Sequence, residues 1–99
     1  MYDNPIFYGM VLTISVEARK TVEKFGHGEI TLKEGKCMLA VLRKVVDAGL
    51  KTAYEKRDED TIKGLHHALL GIDYHESILQ KIEYEKRDAL RKIMDTIEY

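Results

Sequence analysis

This sequence lacks the means to cross-link its fold. Cysteine occurs once, at Cys37, so no disulfide can form within the chain and no CxxC zinc site exists. Proline also occurs once, at Pro5, which leaves the rest of the chain free of the strongest helix breaker. No sign of charge predominates. Sixteen basic and 17 acidic residues interleave to a formal net charge of −1, so electrostatics makes neither nucleic acid nor an anionic membrane the default partner. Long apolar runs are missing too. The most apolar stretch, residues 6–16, is interrupted by Gly9, Thr13 and Ser15 and is shorter than the ~20 apolar residues that span a bilayer. No positive charge precedes it, unlike a secretory leader. The expectation is a cytoplasmic protein with no membrane association.

What is present is periodic and helical. The chain has 99 residues, 44% apolar and 33% charged, the balance of one globular domain with a highly charged surface. Pro5 suits the first turn of a helix, where its missing N–H would be unpaired anyway. A first helix is predicted over residues 5–25, with Phe7, Val11, Ile14, Ala18, Val22 and Phe25 on one face. Gly26-His27-Gly28 ends it. In the first half of this helix Leu12 and Val16 fall opposite Phe7 and Val11, and Ile6 and Met10 fill one flank. A helix apolar on all sides is normally buried on all sides. Ile6, Met10, Leu12 and Val16 are therefore the expected contact of a homodimer, the bland alternative being a central place in the bundle.

Thr31-Leu32-Lys33-Glu34 is a capping box and opens a second helix over residues 32–57. Its apolar face is Gly35, Met38, Leu39, Leu42, Val45, Val46, Gly49 and Ala53, with small residues near its middle that let another helix come close. Cys37 projects from its polar side. Lys56-Arg57 followed by Asp58-Glu59-Asp60 suits the dipoles of an ending and a beginning helix, so a tight reversal is expected near residue 58.

A short segment, residues 61–70, follows, and then a last helix over 74–98. Gly71 fits a helix C′ position and Asp73 with Glu76 a new N-cap. The apolar stripes before and after are out of phase by roughly a quarter turn on one ideal helix. A break at 71–73 is the expectation. The alternative is one long helix projecting into a dimer. An internal match favours it: residues 31–60 laid on 61–90 repeat Tyr54-Glu55-Lys56-Arg57-Asp58 as Tyr84-Glu85-Lys86-Arg87-Asp88. The last helix is expected to bury Ile78, Leu79, Ile82, Ala89, Leu90, Ile93 and Ile97, with His75 and Lys86 inside the same stripe.

Chemistry-bearing patterns are few. No HxxxH, HExxH or ExxH spacing occurs, which argues against a carboxylate-bridged di-iron site. His66 and His67 point about 100° apart on a helix, and His75 would reach them only through a turn at 71–73. Glu76 and Glu83 lie about 10 Å apart in rise, too far to share a proton. A lysine inside a helix seam can set register, or its ammonium can reach water while its stem packs. Tyr74, Tyr84, Arg91 and Lys92 share the outer face of the last helix and suit a partner-binding surface. Arg43, Lys44, Lys51, Arg87, Arg91 and Lys92 offer a basic stripe for nucleic acid, with acids interspersed.

The expected fold is all-α: a small antiparallel bundle of three long helices with a short fourth segment, dimeric, in a single domain. The expected function is a non-enzymatic protein-interaction module, a regulator, adaptor or inhibitor acting through helix surfaces, with no catalytic residues, cofactor or metal. Weighed against it are a small nucleic-acid-associated regulator and a metal-binding helical protein.

Overall fold

The computed structural model describes the backbone of residues 5–97 and the side chains of residues 9–97. Three helices account for nearly all of it: α1 (Pro5–Gly26), α2 (Leu32–Lys56) and α3 (Glu59–Ile97). Their ends are set by local chemistry. Past α1, the Gly28 N–H donates to the Phe25 carbonyl and the Glu29 N–H to that of Lys24. Gly28 turns left-handed at φ +77°, a conformation that costs glycine little. The capping box at α2 is formed in both directions: the Glu34 N–H donates to the Thr31 hydroxyl at 3.1 Å and the Thr31 N–H to the Glu34 carboxylate at 3.0 Å. α2 ends in the same hydrogen-bond pattern as α1, Arg57 to Tyr54 and Asp58 to Ala53, but with Arg57 in the left-handed position at φ 54°. Asp58 then caps α3, receiving the Thr61 N–H at 3.2 Å and the Thr61 hydroxyl at 2.6 Å.

The helices run up, down and up, so α3 is parallel to α1 and antiparallel to α2. The core lies along their common axis and consists of Ile14, Ala18 and Phe25 from α1, Leu39, Val46, Leu50 and Ala53 from α2, and Leu65, Ala68, Ile72 and Leu79 from α3. The buried Thr21 hydroxyl donates to the Glu17 carbonyl at 2.8 Å. Two glycines of α2 set the spacing. A Cβ on Gly35 would lie 3.2 Å from a Leu79 methyl, and one on Gly49 would lie 3.2 Å from Leu65 and 3.3 Å from the Met10 methyl. The small residues of α2 are therefore close-approach points.

The expected break at 71–73 does not exist, and the short fourth segment belongs to α3, which runs unbroken for 39 residues. The phase shift has another cause. α3 packs on two partners at once. Leu65 meets Gly49 of α2, whereas Ala68, Gly71, Ile72 and His75 face Ile14, Ser15 and Ala18 of α1 around a cavity of about 20 Å³. A helix shared by two neighbours needs a broad apolar arc, and a stripe can drift across that arc without the backbone bending. The result is a rod of 65 × 21 × 18 Å with a radius of gyration of 17.6 Å, well above the ~13 Å of a compact domain of this size.

Candidate interaction surface

The far end of α3 is unlike the rest of the bundle. Near it, Lys86 ties α3 to the end of α1: its ammonium donates to the Phe25 carbonyl at 2.9 Å and lies 4.4 Å from the centre of the Phe25 ring. Lys86 thus fills a gap at a helix C-terminus, where orphan carbonyls and the dipole favour a cation. This explains a lysine in an apolar stripe without a register role. α1 ends at this level, but α3 continues for eleven more residues, about 16 Å at 1.5 Å per residue. The core stripe continues with it. Leu90, Ile93, Met94 and Ile97 are 61%, 56%, 60% and 77% exposed, whereas Leu79 on the same stripe is fully buried. On the helical wheel Lys92, Asp88 and Asp95 fall on the other side and Arg91 on the flank, so the bare stripe from Leu90 to Ile97 carries no charge.

Leu90, Ile93 and Ile97 were expected in the core, and Ala89 with them; all four are exposed. The correction follows from length. α1 and α2 have 22 and 25 residues, so neither can cover a partner of 39. The sequence held this signal, because joining segments 61–70 and 74–98 already makes a helix longer than its neighbours.

Other anticipated residues are dispersed. The Ile6 side chain lies outside the described residues. Met10 is half-buried and packs on the core, while Leu12 and Val16 are exposed at 47% and 37%. Tyr74, Tyr84, Arg91 and Lys92 are all exposed. They spread over some 27 Å of helix, and Lys92 is paired with Asp88 at 3.2 Å. Between α1 and α2 a groove of about 230 Å³ is lined by Glu17, Thr21, Met38, Val41 and Leu42.

Several of the titratable groups singled out from the sequence are engaged with neighbours. Arg43 reaches across from α2 to Asp73 at 2.6 Å and Glu76 at 3.0 Å on α3. The hydrogen bond that Arg43 donates to Asp73 raises its already high pKa, with the charges of Asp73 and Glu76 adding to this against some desolvation. Glu83 pairs with Arg87 at 2.7 Å, so Glu76 and Glu83 serve separate ion pairs. His66 bonds to the Tyr54 hydroxyl at 3.0 Å, and His75 Nδ1 donates to the Gly71 carbonyl at 2.7 Å. With α3 continuous, His66 and His75 stand about 13 Å apart in rise. No group of three or more His, Cys, Asp or Glu able to hold a metal occurs among the described residues. Arg43, Arg87 and Lys92 of the basic stripe are committed to carboxylates, which dilutes a nucleic-acid surface. No described helix is long and apolar enough to cross a membrane.

Comparison with protein families, with characterised proteins and with solved structures finds no match for this chain.

Proposed function

We propose that this protein is a non-enzymatic interaction module that engages another protein through helix surfaces, with the projecting end of α3 as its principal binding element. The observation that carries this reading is the uncharged stripe of Leu90, Ile93, Met94 and Ile97, left bare where α1 ends. A contiguous apolar strip on a projecting element is expensive to leave in water, and such strips mark contact sites. An amphipathic helix offering anchors at i, i+3, i+4 and i+7 suits recognition by a second helix or a groove. Tyr84 and Arg91 lie on the adjoining face and supply residue types common at the rims and anchors of interfaces. A regulator, adaptor or inhibitor works by such a surface alone.

The test is retention of proteins from the native cell on immobilised wild type and on Ile93→Asp, after nuclease treatment. The expected outcome is a protein retained by the wild type and lost with the variant. If the retained set is the same for both, the α3 end is not the binding element. Retention that disappears on nuclease treatment would favour a nucleic-acid-associated regulator instead.

A further inference from the structure

We infer that the partner of the α3 end is a second copy of this chain, its own α3 end laid antiparallel on the first. The inference rests on the reading of that end as a binding element and goes beyond it by naming the occupant.

The stripe is self-complementary. A two-fold axis set between Ile93 and Met94 places Ile93 of one chain opposite Met94 of the other, and Leu90 opposite Ile97. Every exposed large apolar residue of the overhang then has an apolar partner, as an isologous contact requires. Between Leu90 and Ile97 no charge intrudes, because Arg91, Lys92 and Asp95 lie off the stripe; Arg87, which borders it one turn earlier, is paired with Glu83. Of the described residues past Lys86, this arrangement covers those from Leu90 to Ile97 with the same segment of the second copy. The two bundles end up at opposite ends of a longer rod, with neither core disturbed.

Area sets the strength. Four side chains more than half bare form a patch of a few hundred Å² per copy, short of the ~800 Å² per partner of a standard interface. The dimer is therefore expected to be reversible and to dissociate on dilution.

Light scattering and sedimentation across a concentration series test the inference on the whole chain. Wild type should reach twice the chain mass at high concentration, and Ile93→Asp or Met94→Glu should halve it with the helical circular dichroism unchanged. Leu12→Asp should leave the dimer intact; if it alone breaks the dimer, the contact lies on α1 and the inference fails. Register is read by crosslinking in a Cys37→Ser background. Leu90→Cys mixed with Ile97→Cys should give several times the disulfide-linked dimer that either gives alone. Equal self-linking by each variant would mean parallel pairing and would overturn the arrangement. A wild type that stays monomeric at every concentration overturns the inference, whether or not the α3 end binds anionic vesicles. If Ile93→Asp still abolishes retention of another protein, the broader reading survives that failure; if it does not, both fall.

Discussion

Asp58 begins α3 by accepting two hydrogen bonds from Thr61, and these hold its carboxyl below the usual carboxylate range, the side-chain bond first and the backbone bond second. A depressed pKa means the folded state favours the ionised form. The stabilisation is therefore fully present above the ordinary carboxylate range and is lost as pH falls through the depressed value. Asp58→Ala should lower the melting temperature by a few degrees at neutral pH and make little difference in strong acid, as read by thermal unfolding at both pH values. Lys86 makes a second test. Lys86→Met keeps the stem against Phe25 but removes the donor to its carbonyl and the cation over its ring. A loss of about 1–2 kcal/mol is expected, which is several degrees for a domain of this size. An unchanged melting temperature would mean the lysine only places its charge in water.

Among the helices, α3 is the one on which the others depend, because α1 and α2 each pack against it along most of their length. Glycines report how closely. A Cβ at Gly71 would meet nothing within 4 Å, so Gly71→Ala should gain the helix-propensity difference of about 1 kcal/mol. Had the chain turned there, with Gly71 left-handed, the same substitution would destabilise. Gly49→Ala carries the same propensity gain but presses on Leu65, which is fully buried, and should fall short of Gly71→Ala. Denaturant unfolding of the two variants side by side checks both the continuity of α3 and the close approach of α2.

The molecule as a whole is a bundle with a handle. The side chains after Asp88 are exposed, so a chain stopped after Asp88 should keep its melting temperature within a few degrees when measured dilute. It should lose the concentration-dependent rise in mass. A large loss of stability on truncation would mean the end of α3 packs on its own bundle.

Two copies of one pentapeptide separate what was legible in the sequence from what was not. Tyr54-Glu55-Lys56-Arg57-Asp58 ends a helix, with Arg57 left-handed, while Tyr84-Glu85-Lys86-Arg87-Asp88 runs on inside α3. Their neighbours explain part of this: Asp58 is followed by Glu59-Asp60-Thr61, which completes a cap, and Asp88 by Ala89-Leu90-Arg91, which continues a helix. Such signals act over a few residues, and so the sequence alone determined the all-helical class, the capping box at Thr31 and the reversal near residue 58. Gly71-Ile72-Asp73 also carries plausible stop and start signals, yet the helix passes through. Only the packed neighbours decide that, because α1 and α2 cover α3 continuously across this region and a corner there would uncover both faces. The same is true of Leu90, Ile93 and Ile97. Their spacing marks them as apolar-face residues, but burial depends on where other helices end, and that is a property of the assembled bundle.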